Sequence, residues 1–437
     1  TAGSKAERLP IPAMVTIPMS MHIGAPAKPV VNVGDEVKVG QLIAEASGFV
    51  SSPIYSGVSG KVRKIDDMLM SGGQYVPAIT IETDGMQTMS ESITPQRVES
   101  LQEFVDAVRR SGVVGLGGAG FPTAVKLAVK DLSTVEAVII NGAECEPYIT
   151  SDTRTMLDDS ELVWEGIELL KKHLQVKRII IGIEDNKPEC IAVYKKLCSS
   201  GSGVEVKALP AMYPQGGEKV LIYHTIGRIV PEGKLPLDVG AIVINCTTLA
   251  AIAKYIKTGL PLMEKCVTVD GSAVKNPRNV IAPIGTPVKE VFDFCGGFKS
   301  EPKKVLYGGP MMGLAVPDMD APILKNTNAI LAFDEKDSVL PSETACIKCG
   351  RCVAHCPLNL SPTDIETAFK LKKPEDLEVL KVNLCMECGC CAYVCPANRP
   401  LVQVNKLAKA MLRDYQSAQK AAAEMLKKKE ETKEEKK

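Results

Sequence analysis

One short pattern occurs twice near the carboxyl end of the chain: Cys346-x2-Cys349-x2-Cys352-x3-Cys356-Pro357 and Cys385-x2-Cys388-x2-Cys391-x3-Cys395-Pro396. Of the 15 cysteines, nine lie between Cys346 and Cys395. Three thiols on one tight loop, with a fourth after a short gap, leave little freedom to the chain around them. An odd cysteine count speaks against a secreted disulfide scaffold. So does the length: 437 residues with 45% apolar content can bury several cores, about three folding units. A reducing cytoplasm is the better expectation.

Three closely spaced cysteines plus a fourth four positions on, followed by proline, is the bacterial ferredoxin spacing for [4Fe–4S] clusters, in which the fourth thiolate of each run serves the other cluster. One cluster should therefore take Cys346, Cys349, Cys352 and Cys395. The other should take Cys385, Cys388, Cys391 and Cys356. A zinc site would more often show two cysteine pairs across a long gap. Cys390 lies off the pattern and reads as a packing neighbour, and His355 as a surface residue. Cys145, Cys190, Cys198, Cys246, Cys266 and Cys295 have no ligand spacing and read as small buried hydrophobes.

Composition narrows the remaining choices. Lys plus Arg equals Asp plus Glu, 52 against 52, so no net field draws a polyanion, and 4% aromatics argue against stacking platforms. No apolar run is long enough to span a membrane. Thr1–Pro10 lacks a signal-peptide core, and the missing initiator Met suggests a processed or trimmed start.

The fold class expected is multidomain α/β and α+β. Residues 1–95 read as a small β domain, with strand candidates Val30–Val33, Leu42–Ala44, Gly60–Ile65 and Val76–Ile81. Residues 96–255 read as α/β, with a helix at Leu101–Arg110 and strands at Val135–Ile140, Arg178–Ile183 and Gly240–Ile244. Ser160–His173 carries apolar residues at helical spacing. Strands alternating with helices favour a parallel sheet. Residues 256–335 read as a small α+β module with strands at Lys265–Val269, Val280–Ile284, Lys304–Leu306 and Ala329–Phe333. Residues 336–415 hold the cysteine runs, with helix patterns at Thr363–Lys372 and Val402–Gln416. Residues 416–437 form a charged tail, either a solvated helix or disordered. There Lys427–Lys429 could meet anionic lipid, but interleaved glutamates favour a plain solvated tail.

Two clusters make a one-electron wire, so something else must load it. Gly115-Leu116-Gly117-Gly118-Ala119-Gly120 formally satisfies G-x-G-x-x-G, but a helix precedes it and the Rossmann context fails. Small residues there let a flat ring or a pyrophosphate lie against the backbone. A helix expected at Pro122–Val129 would present its head to a phosphate, and Lys126 would add a point charge.

The longer string through Phe121-Pro122-Thr123 resembles the flavin-binding loop of the NADH-oxidising subunit of respiratory complex I. Asn141-Gly142-Ala143-Glu144-Cys145-Glu146-Pro147, Gly216-Gly217-Glu218 and Asn245-Cys246-Thr247-Thr248 match further nucleotide and flavin contacts of that family. The resemblance implies FMN held by Gly115, Gly117, Gly118, Ala119, Gly120, Lys126, Asn141, Asn245, Thr247 and Thr248. Glu144, Glu146, Gly217 and Glu218 would touch flavin or the nucleotide ribose, and Phe121 would stack near the nicotinamide. Leu116 stands where that family usually has Arg, and Ala143 where it usually has Asp. Residues 256–335 look like its soluble-ligand-binding β-grasp domain.

Val33-Gly34-Asp35 through Ile43, with Ser52-Pro53 through Val62, resembles the biotinyl/lipoyl barrel-sandwich family. No lysine lies between Gln41 and Gly60, so a docking or scaffold role is expected over a swinging-arm role. Barrel-sandwich (1–95), FMN/NAD domain (96–255), β-grasp module (256–335) and two-cluster domain (336–415), in that order, resemble the C subunits of Rnf complexes, the ferredoxin:NAD oxidoreductases that pump Na⁺ or H⁺. The segment Ile17-Pro18-Met19-Ser20-Met21-His22-Ile23-Gly24-Ala25-Pro26 fits the same family.

That resemblance implies hydride exchange between NAD(H), as substrate, and FMN. Single electrons would pass through two [4Fe–4S] clusters. It implies a peripheral place on the cytoplasmic face of the cell membrane. The partners implied are a ferredoxin-like B subunit, integral membrane subunits and, indirectly, ferredoxin. No side chain is expected as a general acid or base. Two alternatives stay open: a flavin and iron–sulfur cobalamin reductase, and an electron-transfer adaptor without a nucleotide site.

Overall fold

A computed structural model describes residues 1–198 and 202–434. Side chains beyond residue 425 lie outside the described ones, Lys427–Lys429 among them. The chain divides into two compact units, Thr1–Val339 and a second that opens at Leu340.

The first unit begins with a sandwich. Strands Met14–Pro18, Tyr75–Thr83, Gly60–Leu69 and Glu36–Val37 form one antiparallel sheet, and Lys28–Pro29, Leu42–Glu45 and Ile54–Tyr55 form another. Val15, Ile17, Ile43, Ile54, Ile79 and Ile81 are buried in their shared core. The expected strand Val30–Val33 is absent, and both its end residues are exposed. The reason is local: the Asn32 amide donates to Asp35 Oδ2 at 2.7 Å, folding the segment into a turn.

The α/β part holds four parallel strands in the order Val204–Leu209, Arg178–Glu184, Ala137–Gly142, Ala241–Asn245. Ala137–Gly142 is first in chain order yet lies inside the sheet. The chain builds outward on one side of it, then returns to add Ala241–Asn245 on the other. Such a reversal opens a crevice at the carboxyl ends of the two strands, where open α/β sheets bind ligands. Helices Leu101–Arg110, Ser160–Leu174 and Cys246–Thr258 supply buried side chains to the same core. Leu101–Arg110 carries a full capping box, Ser100 with Glu103.

The third part is a six-stranded mixed sheet with a core around Val267, Val280, Phe292 and Ile330. Its edge strand comes from the far end of the chain. Glu7–Arg8 runs parallel to Arg278–Pro283, pairing Glu7 with Val280 and Arg8 with Ile281.

The second unit is an internal repeat. Cys346 and Cys385, Cys349 and Cys388, Cys352 and Cys391, and Cys356 and Cys395 are each 39 residues apart. The backbone follows the same offset. Lys348 and Glu387 have φ of 54° and 60°, and Gly350 and Gly389 have 72° and 81°. A one-turn helix follows each, Arg351–Ala354 and Cys390–Tyr393. A longer helix comes next, Pro362–Lys370 and Leu401–Glu434. The second long helix runs through the stretch read from sequence as a tail. Ala, Lys and Glu are strong helix formers, so it propagates without an apolar face.

Candidate functional site

The crevice between Ala137–Gly142 and Ala241–Asn245 is where the flavin-type motifs converge. Asn141 and Asn245 lie at the carboxyl ends of the two strands and are directly paired in register. Asn141 Nδ2 donates to the Gly216 carbonyl at 2.9 Å, and its Oδ1 accepts from the Ala143 amide at 3.1 Å. Asn245 caps the helix Cys246–Thr258, accepting from the Thr248 amide at 3.1 Å. Its Nδ2 donates to Asp152 Oδ2 at 2.6 Å, and Thr247 Oγ1 donates to Asp152 Oδ1 at 2.6 Å.

The glycine loop is anchored on both sides of its tip. The Leu116 amide donates to Thr248 Oγ1 at 3.0 Å, and its carbonyl accepts from the fully buried Lys265 Nζ at 3.0 Å. Gly120 is held by its own amide to the Gly115 carbonyl and by the Ile23 amide on its carbonyl, both at 3.0 Å. Asn326 Nδ2 donates to the Gly118 carbonyl at 3.0 Å. Leu116 and Gly120 are buried, whereas Gly118 and Ala119 are exposed. Among the described residues, the amides of Gly117, Gly118 and Ala119 donate to no backbone acceptor.

Two glycines are required there. A Cβ on Gly117 would lie 2.9 Å from Asn245 Nδ2, and Gly118 has φ of +117°, which side-chain-bearing residues rarely adopt. Next to the loop, Thr123 Oγ1 is buried and, among the described residues, has no hydrogen-bond partner. Unpaired amides on a loop almost without side chains, above two register-paired asparagines, fit a flat, phosphate-bearing group. The helix after the loop is only Thr123–Leu127, so the amides of the loop, not a helix dipole, supply the positive end.

Other expected residues have protein partners. Lys126 Nζ donates to Glu218 Oε1 at 2.6 Å and to the Val243 carbonyl at 3.0 Å, bringing Lys126 and Glu218 together. Gly217 is the residue before the helix Glu218–Ile226. Glu144 accepts from the Asp152 and Thr153 amides at 2.7 and 3.0 Å and from Thr153 Oγ1 at 2.8 Å, at the head of helix Ser151–Asp158. Burial, then the Asp152 carboxylate, push the Glu144 carboxyl upward against those hydrogen bonds. Glu146 accepts from the Met311 and Met312 amides at 3.1 and 2.8 Å. Phe121 is half-buried and its carbonyl accepts from the Gly115 amide. A cavity of about 560 Å³ at the carboxyl edge of the sheet is lined by Glu144, Glu146, Tyr148, Glu184 and Lys187, among others. Asp152, Lys265 and Asn326 belong to none of the sequence motifs. Only the folded chain brings them to the loop.

The second unit holds the cysteine runs. Cys356 lines one hollow together with Cys385, Cys388 and Cys391, and Cys390 lies beside them. Cys395 packs in a small core with Cys352, Cys391, Leu401 and Val402. Cys346 and Cys349 are exposed. Among the described residues, no three His, Cys, Asp or Glu side chains are placed to hold a single metal ion. Thiols set around a hollow instead suit a cube of iron and sulfide, whose four corners are separate. Amides already point at the sulfurs. Lys348 donates to Cys346 Sγ, Glu387 to Cys385 Sγ and Leu360 to Cys356 Sγ, each at 3.4 Å. His355 is exposed, and Cys190, Cys246 and Cys295 are buried.

Comparison with known proteins agrees with this division. Residues 1–86 match the RnfC barrel sandwich hybrid domain, 108–254 the Nuo51 FMN-binding domain, 266–315 the SLBB domain and 345–399 a 4Fe-4S dicluster domain. In an air-oxidised NAD⁺-reducing [NiFe]-hydrogenase, a chain shares the fold over 67% of this chain and 59% of its own length, with TM-score 0.50 and 19% identity. The C subunit of the proton-translocating ferredoxin:NAD(+) oxidoreductase complex of Clostridium ljungdahlii is 47% identical over 83% of this chain and 80% of its own length. The Na(+)-translocating counterpart of Acetobacterium woodii is 44% identical over 81% of each chain. The C subunit of the ion-translocating oxidoreductase complex of Rhodobacter capsulatus is 39% identical over 95% of this chain and 81% of its own length. On that identity and coverage, the chain belongs to the family of C subunits of ion-translocating ferredoxin:NAD(+) oxidoreductase complexes.

Proposed function

We propose that this chain is the component at which a membrane-bound Rnf complex exchanges electrons with NAD(H). The observation that carries the reading is one chain holding both kinds of site. An open glycine loop sits over the paired Asn141 and Asn245, and two cysteine runs repeat at a fixed offset. FMN bound there would supply the change from two-electron to one-electron chemistry. Gly117, Gly118 and Ala119 offer it backbone amides, and Asn141, Asn245, Thr247 and Thr248 hold the crevice open and fixed. Asp152 locks Asn245 and Thr247 in one orientation, so little reorganisation is left for the moment of transfer. Lys126 and Glu218 neutralise each other at the crevice. Glu144 and Glu146, fixed by backbone amides, line the adjoining cavity, where acidic oxygens suit ribose hydroxyls.

The eight patterned cysteines hold two [4Fe–4S] clusters in crossed sets, each cluster taking its fourth thiolate from the other run. The chain is peripheral on the cytoplasmic face. None of its described helices is long and apolar enough to cross a membrane. It docks on a ferredoxin-like partner and on integral membrane partners, and ferredoxin reaches it through them. The ion path lies in those partners: relatives of similar identity to this chain are named for protons in one case and Na⁺ in the other.

Anaerobic purification with flavin and iron assays, followed by NADH addition, tests the reading. FMN with about eight irons per chain and rapid bleaching of the flavin band is expected. Iron without flavin would favour a plain electron-transfer adaptor, and flavin untouched by NADH would sink the nicotinamide assignment.

A further inference from the structure

The two halves of the cysteine unit repeat in backbone but not in what faces the sulfurs. Asn405 and Glu366 occupy equivalent positions, 39 residues apart like the cysteines, and so do Lys409 and Lys370. Both Asn405 and Glu366 are buried, at 1% and 3% exposure. Their partners differ. Glu366 is taken up by cations: Arg399 Nε donates to it at 2.8 Å and Lys370 Nζ lies 2.9 Å away. Asn405 instead faces a ligand sulfur. Its Nδ2 donates to Cys385 Sγ at 3.4 Å, and it lines the same hollow as Cys356, Cys388 and Cys391. Among the described residues, its buried Oδ1 has no hydrogen-bond partner. Lys409 Nζ lies on the Cys385 carbonyl at 3.1 Å and on Glu387 at 2.6 Å.

A thiolate bound to iron can only accept hydrogen bonds, so the amide must present its NH₂ to the sulfur. That orientation leaves the amide oxygen orphaned in the interior, a costly arrangement that a purely structural residue has no reason to keep. Adding one electron to a cluster held by four thiolates raises its negative charge by one and forms or breaks no bond. A donor aimed at a ligand sulfur favours that reduced, more negative state. Glu366, an acceptor already neutralised by Arg399 and Lys370, can give the other cluster no such donor.

We infer that Asn405 sets the reduction potential of the cluster ligated by Cys385, Cys388, Cys391 and Cys356, and leaves the other cluster alone. The repeat thereby becomes two unequal electron sites. The inference rests on the proposed pair of clusters.

The test is a redox titration of the full chain, followed by low-temperature EPR, for the parent, Asn405→Leu and Asn405→Asp. The iron content should stay at the parent value. One of the two midpoint potentials should move to more negative values in the leucine variant and further in the aspartate variant, with the other unmoved. If the leucine variant loses iron, the isosteric aspartate variant decides by the same criterion. Both potentials moving together, or neither moving at full iron content, would overturn the inference. A parent without about eight irons would instead remove the pair of clusters on which it stands.

Discussion

Gly117 shows how a single absent side chain shapes the crevice. A Cβ there meets Asn245 Nδ2 at 2.9 Å and its Cγ at 3.2 Å. Asn245 cannot retreat, because Asp152 holds one end of its amide and the Thr248 amide the other. Gly117→Val should therefore displace Asn245 or lift the loop, at a cost of about 1–3 kcal/mol for overpacking. Its expected phenotype is loss of FMN from purified protein with iron content unchanged. A variant that keeps its flavin would show that the ring does not lie against this part of the loop. At this scale the glycine string and both asparagines were legible, because each sits in a short contiguous motif. Leu116 was legible only as a departure from a family pattern. Its burial, with Lys265 on its carbonyl, comes from a strand far along the chain that no local pattern announces.

Glu264 stands at a junction of three elements and carries a pH dependence. It begins the strand Glu264–Asp270 and accepts from Arg8 Nη1 of the strand Glu7–Arg8 at 2.5 Å and from Lys254 Nζ of the helix Cys246–Thr258 at 2.7 Å. Burial alone would raise its carboxyl; Arg8 and Lys254 together outweigh burial and bring it down to about 2. A folded value below the unfolded one means stability that is present above about pH 4.5 and lost as pH falls toward 2. Arg8 is largely exposed, so solvent screening holds the contribution to about 2 kcal/mol at neutral pH. Glu264→Gln should lower stability by roughly that amount at pH 7, and the gap to the parent should close near pH 2. Urea unfolding followed by the single tryptophan, Trp164, reads this unit alone, because Trp164 packs on its main core. A gap that is the same at both pH values would mean the ion pairs contribute nothing. The strand Glu7–Arg8 was beyond sequence reading for a physical reason. Two residues carry no periodicity, and their pairing with Arg278–Pro283 is fixed only when the whole unit closes. Leu101–Arg110 was readable because its capping box and apolar stripe are local.

Across the whole molecule, the boundary at Leu340 separates two chemistries that should fail independently. The first unit carries the glycine loop and the crevice, and the second carries all eight patterned cysteines. Within the second unit, crossed and uncrossed ligation make opposite predictions, and combined substitutions separate them. Under the proposed pair of clusters, replacing Cys385, Cys388 and Cys391 by Ser removes three ligands of one of them, so iron should fall from about eight to about four. FMN content should be unaffected. Adding Cys356→Ser to that triple variant is the decisive step. Cys356 lines the hollow of the cluster already lost, so iron should stay at about four. Had Cys356 served its own run of Cys346, Cys349 and Cys352, the fourth substitution would strike the surviving cluster and iron would fall well below that value. Adding Cys395→Ser to the triple variant instead should strike the surviving cluster, because the crossed assignment gives Cys395 to the Cys346 set. The two quadruple variants differ by one cysteine each, so their iron contents compare directly, and equal contents would contradict the crossing.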